Sequence, residues 1–196
     1  MTISLKDVSK LREMTGVGIL DCQKALEEAK GDFDKAIELL RKKGATTMAK
    51  RAGREARQGL IVSYIHNGRI GALLELNSET DFVARNKDFE ALAKELVMQV
   101  AAANPLCLSR KEVPKEVIKK EMEIEKAKLA GNKKPKEVID KIIEGKLDKY
   151  FSSICLLEQP FIKNPDITIR DLINEKTAAI GEKIAVKRFA RFELGK

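Results

Sequence analysis

The sequence predicts an α+β fold: an N-terminal three-helix module, then a core in which a small antiparallel three-stranded sheet packs on helices and a helical hairpin protrudes. Three observations carry this. Apolar residues recur at helical spacing before residue 44, two β-rich runs flank Asn67-Gly68, and one more β-rich run closes the chain after a series of amphipathic helices. Strands confined to one early hairpin and one late run do not make the alternating pattern of a parallel α/β fold. The predicted divisions are a three-helix domain at 1–44, a basic linker at 45–57, and an α+β core at 58–196 that includes the helical hairpin 114–157.

In the first module Ser4 caps a helix with Asp7 three residues on, and Leu5, Val8, Leu11 and Met14 form its stripe. Gly16-Val17-Gly18 breaks that helix. Ile19, Cys22, Leu26 and Ala29 are the inward stripe of the second, with Gly31 at a left-handed C-cap. Asp32 caps the third, where Phe33, Ile37 and Leu40 face inward and Gly44 is the predicted stop. Residues 41–57 (RKKGATTMAKRAGREAR) hold seven basic residues against one acid. A solvated linker and an RNA contact are both open there, although no aromatic interleaves the charges to stack on bases.

The hairpin signal is strong. Runs 60–66 (LIVSYIH) and 69–77 (RIGALLELN) flank Asn-Gly, the favoured pair for a two-residue type I′ turn. Such a turn sets His66 opposite Arg69, Ile65 opposite Ile70 and Ile61 opposite Leu74. The covered face then carries Ile61, Ser63, Ile65, Ile70, Ala72, Leu74 and Leu76, while Val62, Tyr64, His66, Leu73 and Glu75 point outward. His66 reads as an ordinary surface histidine.

Residues 87–103 form an amphipathic helix through Phe89, Leu92, Leu96 and Val100, ended by Asn104-Pro105. The charged run 114–130 and the run after Pro135, through Val138, Ile142, Leu147, Phe151 and Ile154, make the helical hairpin. Asp166 or Thr168 opens a last helix, and 184–194 (IAVKRFARFEL) is the third strand that the two-stranded hairpin needs for a stable sheet.

Composition bounds the function. The chain has 196 residues, a formal net charge of +8, and 35% charged residues. The basic balance fits an acidic partner or simple solubility. Cys22, Cys107 and Cys155 offer no CxxC pairing and, with only His66 beside them, no zinc set. They read as reduced cysteines, with a cross-link to a second chain left open. No apolar leader and no run of about 18 apolar residues occurs, so a cytoplasmic protein without a membrane partner is expected. No phosphate loop, HExxH or GxSxG motif is present, and no cofactor site or enzymatic role is expected.

Between hairpin and helix lies Ser78-Glu79-Thr80-Asp81-Phe82-Val83-Ala84-Arg85-Asn86. Such connections are usually polar because a buried loop strands backbone groups. An aromatic beside valine, bracketed by Asp81 and Arg85, is either a plug for the protein's own core or an anchor for another protein.

Two segments resemble the translation elongation factor Ts family. Residues 11–26 (LREMTGVGILDCQKAL) are similar to its N-terminal signature LRxxTGxGxxxCKKAL, with Gln23 where lysine is common. Tyr64-Ile65-His66, Gly68-Arg69-Ile70-Gly71 and Glu75 through Asn86 resemble its second signature, with Ser78 in place of a frequent cysteine. The C-terminal LEQPFIKNPDITIRDLI and GEKIAVKRFARFELG also resemble that family. The resemblance implies a ubiquitin-associated-like N-terminal module and an α+β core for dimerisation and exchange. It implies a guanine nucleotide exchange factor that binds the GDP form of elongation factor Tu, disturbs its Mg²⁺ and phosphate site, and holds the empty state until GTP binds. It places Asp81 and Phe82, with Thr80 and Val83, against the partner's GTPase domain near Mg²⁺, and Arg12, Ile19 and Leu20 as contacts from the N-terminal module. Leu20 lies off the inward stripe and is the better exposed candidate; Ile19 reads as core. One hairpin and one TDFV segment resemble the short form, which implies a homodimer in a two-to-two complex and no direct nucleic acid contact. The competing class is a binding module, a small helical domain joined by a basic linker to an RNA- or ribosome-binding core.

Overall fold

The computed structural model describes residues 3–51, 53–129 and 135–196, so residues 131–134 of the predicted turn lie outside the described residues. The chain groups into two compact units, Met1–Ala101 with Arg170–Lys196, and Ala102–Ile169.

The first unit opens with α1 (Leu5–Thr15), α2 (Ile19–Glu28) and α3 (Phe33–Arg51). The Ser4 Oγ accepts from the Asp7 N–H at 3.2 Å, and the Asp7 carboxylate reaches back to the Ser4 N–H, the predicted capping box. Val8, Leu11, Val17, Cys22, Leu26, Ala36 and Leu40 share one buried cluster. Leu5 and Met14, expected in the stripe of α1, are exposed. Ile19 is also corrected: it is 50% exposed, because Val17 ahead of α2 and Cys22 within it fill the cluster and leave Ile19 and Leu20 facing out.

Gly44 does not stop α3, which runs on to Arg51 through lysine, alanine and methionine, all good helix formers. One interior glycine costs only about 1 kcal/mol. It has a use here: a Cβ at 44 would meet the Asn174 carbonyl oxygen at 3.2 Å and the Ala178 Cβ at 3.5 Å. Glycine therefore lets α3 lie close to α8 (Ile169–Ile180), and Arg41 adds a 3.0 Å ion pair to Glu175.

The sheet is β1 (Gln58–His66), β2 (Ile70–Ser78) and β5 (Ala185–Glu193), antiparallel throughout in the order β1-β2-β5. The late run is thus the third strand, as predicted. The register of the hairpin is one residue away from expectation. Asn67 and Gly68 take positive φ and the Arg69 N–H closes the turn on the His66 carbonyl at 3.0 Å, but the ladder pairs His66 with Ile70, Tyr64 with Ala72 and Val62 with Leu74. Arg69 joins Asn67 and Gly68 in the turn and so is left out of the β1–β2 ladder, while on the β5 side its carbonyl accepts from the Leu194 N–H at 2.8 Å. A one-residue slip exchanges the faces of a strand. Ile61 and Ile65 are accordingly 70% and 69% exposed, and Val62 and Tyr64 join Ala72, Leu74 and Leu76 on the covered side. The outward face of the sheet carries Ile61, Ile65, Leu73, Ala190 and Phe192, with a 2.7 Å Glu75–Arg188 ion pair beside them.

A single helical turn, α4 (Asp81–Ala84), separates β2 from α5 (Lys87–Ala103). The predicted stripe of α5 holds: Phe89, Leu92, Leu96 and Val100 have no exposed surface. Burying each contributes about 2 kcal/mol.

The second unit contains the helical hairpin, α6 (Lys115–Lys128) packed on α7 (Lys136–Ile154), and a two-stranded ribbon of β3 (Pro160–Phe161) and β4 (Asn164–Thr168) that the sequence reading lacked. Arg110 gathers this unit: it pairs with Glu158 and Asp148 and lies 4.6 Å from the centre of the Phe151 ring.

Cys107 and Cys155 stand opposite each other as free thiols with Sγ atoms 3.6 Å apart, so each finds its nearest thiol within the chain. Burial pushes both thiols up, Cys155 to about 12. The thiolate is the reactive species, and a raised value means less of it at any pH below that value. Native Cys155 is expected to take iodoacetamide at pH 8 at least ~100-fold more slowly than a free thiol, gaining rate as pH rises. Mass spectrometry checks this, with full labelling after denaturation as control; rapid native labelling would contradict the buried placement.

Candidate functional site

The segment at 78–85 leaves the sheet as a braced tip. Ser78 is fully buried at the end of β2 and its hydroxyl donates to the Thr80 carbonyl at 2.9 Å. The serine thus supplies a hydrogen bond to the tip's own backbone. Thr80 sits in extended geometry at the N-cap of α4, and its side chain makes no cap to that helix. Its hydroxyl and its N–H both donate to the Glu182 carboxylate, at 2.7 and 3.0 Å. Glu79 accepts from the Lys183 N–H at 2.6 Å and pairs with Arg54 at 2.9 Å, and the Lys183 ammonium donates to the Arg54 carbonyl.

Beyond this brace α4 packs against β1 and β2 and buries Ala84. Val83 is half-buried, whereas Phe82 is 82% exposed. Of the two readings open from residue chemistry, a plug for the protein's own core does not describe Phe82. A large apolar ring on a fixed turn is open to contact by another surface and offers more contact area than most side chains. Asp81 pairs with Arg85 at 3.0 Å across one turn. That exposed i,i+4 pair is worth little, so the Asp81 carboxylate is readily drawn to another group.

In the N-terminal module Arg12 and Leu20 are exposed, Leu20 at 71%, and Ile19 joins them on the surface rather than the core.

Sequence reasoning missed Glu182. Its only local signal is Gly181 before it, in left-handed geometry at the end of α8, and its partner Thr80 is 102 residues away. Among the described residues no group of three acidic, histidine or cysteine side chains is arranged to hold a metal ion, and no helix is long and apolar enough to cross a membrane. His66 is exposed near the turn, its ring nitrogen 3.1 Å from the Tyr64 hydroxyl.

Comparison with known proteins gives one answer. A sequence profile described as Elongation factor TS matches residues 24–196. The chain is 56% identical over its whole length to a protein named Elongation factor Ts from Thermodesulfovibrio yellowstonii, covering 98% of that protein. It is 55% identical, over 98% of its length, to one of the same name from Carboxydothermus hydrogenoformans, covering 89% of it. Identity is 56% over the whole chain to that of Thermotoga petrophila, with 98% of the relative covered.

Proposed function

This chain belongs to the elongation factor Ts family, and from that premise we propose that it is the guanine nucleotide exchange factor for elongation factor Tu, acting in the cytoplasm. The observation that carries this reading is Phe82, exposed on a turn whose base is held from both sides.

The chemistry is mechanical and electrostatic. Mg²⁺ links the nucleotide phosphates of a GTPase to its protein ligands, so displacing those ligands weakens nucleotide holding. Phe82 enters the GTPase domain of elongation factor Tu as a wedge. It has large apolar area and few rotatable bonds, so it separates packed elements near the Mg²⁺ site at small entropic cost. Asp81, released from Arg85, pairs with a group freed by that shift or repels the ligand set of the ion. Thr80 and Val83 flank the wedge and fix its angle. Arg12, Ile19 and Leu20 give the ubiquitin-associated-like module its own contact on the GTPase domain, adding a second attachment to the first. No residue of this chain needs to act as acid, base or nucleophile.

Exchange then follows from linkage. A factor that binds empty elongation factor Tu more tightly than the GDP form lowers GDP affinity by the same ratio. Calorimetric titration of this chain into the empty and GDP-bound partner tests it: much tighter binding to the empty form is expected, and equal affinities would exclude exchange by this route.

The same reading includes a homodimer, giving a two-to-two complex. The outward sheet face supports it, since Ile61, Ile65, Leu73 and Phe192 form an apolar row of the kind monomers seldom leave in water. Changing Ile65 and Leu73 together to aspartate is expected to halve the light-scattering mass without loss of helical circular dichroism. An unchanged mass would remove this face from the dimer.

A further inference from the structure

We infer that Glu182 is the positioning residue of the exchange tip, holding Thr80 so that Phe82 is presented in a single direction. This rests on the exchange reading above and adds to it a residue outside the TDFV segment.

Thr80 gives up the ordinary work of its position. A threonine before a helical turn usually turns its hydroxyl inward to accept a backbone N–H of the first turn. Here that hydroxyl donates to Glu182 at 2.7 Å, the Thr80 N–H donates to the other carboxylate oxygen at 3.0 Å, and α4 has no side-chain cap. With the Thr80 carbonyl taken by the buried Ser78 hydroxyl, every polar group of Thr80 has a fixed partner. Bonds to an ionised acceptor are stronger than neutral ones, and two from one residue fix orientation as well as distance.

The anchor is itself secured. Glu182 lies between Gly181, which turns the chain with φ 85°, and Ile184, which is fully buried just before β5. The neighbouring pair runs in the opposite sense: the Lys183 N–H donates to Glu79 at 2.6 Å. Residues 79–80 and 182–183 therefore clasp each other reciprocally, joining the end of β2 to the turn before β5. The Glu182 carboxylate bonds to Thr80 and not to the wedge itself, so its effect on exchange passes through Thr80 and α4. A wedge already held in its working direction loses little freedom on binding, and small misplacement of a working group is costly.

The test uses the full chain and release of fluorescent GDP from elongation factor Tu at saturating exchange factor. Glu182→Ala is expected to lower the maximal release rate about tenfold. Glu182→Gln, which keeps one acceptor, should recover much of that loss. In a Phe82→Ala background Glu182→Ala should cost almost nothing more, because a residue acting only through the wedge has nothing left to position. Thr80→Val breaks the hydroxyl contact from the other end, and a several-fold loss is expected of it even if Glu182→Ala melts early. Failure of the wild-type chain to accelerate release would overturn the exchange reading and this inference together. With wild-type exchange intact, a wild-type rate for both Glu182→Ala and Thr80→Val, or a Glu182→Ala loss that adds in full to that of Phe82→Ala, would overturn this inference alone.

Discussion

Phe82→Ala is expected to lower the rate of GDP release catalysed by this chain about 30-fold, because truncating a central aromatic anchor costs about 2 kcal/mol and each 1.4 kcal/mol is tenfold. The side chain is 82% exposed, so its loss opens no cavity in the free protein. The melting temperature should stay that of the wild type, which separates this variant from a folding defect. The loss should fall on the maximal rate more than on the concentration of factor needed, since the contacts proposed for Arg12, Ile19 and Leu20 are untouched. Stopped-flow release at a series of factor concentrations reads both quantities. A maximal rate equal to that of the wild type would remove the wedge role from Phe82.

Gly59→Ala is expected to produce the largest loss of stability. Gly59 has φ 148°, and a Cβ there would lie 2.1 Å from the Leu76 carbonyl oxygen and 2.8 Å from the Asn77 Cα. Both are backbone atoms of the paired strand, so no rotamer change relieves the contact and β1 must part from β2. Strain of this kind plus overpacking amounts to about 3 kcal/mol, or roughly a 6–12 °C fall in melting temperature for a chain of this size. Gly71→Ala is the control: its Cβ meets nothing within 4 Å, and a change within about 0.5 kcal/mol is expected. Equal melting temperatures for the two variants would contradict the strand pairing at the open end of the hairpin.

Much of the fold was legible because its signals are local. The capping box at Ser4 and Asp7, the stripe of α5 from Phe89 to Val100, and the β-rich run that becomes β5 each need only near neighbours in sequence. What failed is set by distant residues. The hairpin register turns on Arg69 joining Asn67 and Gly68 in the turn instead of pairing with His66, and the Asn-Gly pair alone does not signal that. Gly44 reads as a stop until α8 lies close enough to require a glycine. Ile19 has the spacing of a core residue and loses the place to Val17. The ribbon β3–β4 is too short, and holds too much proline and asparagine, to announce itself as strand.

The candidate site divides in the same way. Phe82 stood out because an aromatic in a polar connection needs an explanation, and exposure now supplies one half of it. The brace beneath it was hidden: Glu182 is one of 30 acidic residues, and only the folded sheet brings it to Thr80.

Release of fluorescent GDP from purified elongation factor Tu, followed by stopped flow with increasing wild-type chain, tests the central claim most directly. The release rate should rise with factor concentration to a plateau far above the spontaneous rate; a rate that stays at the spontaneous value at every concentration would contradict it.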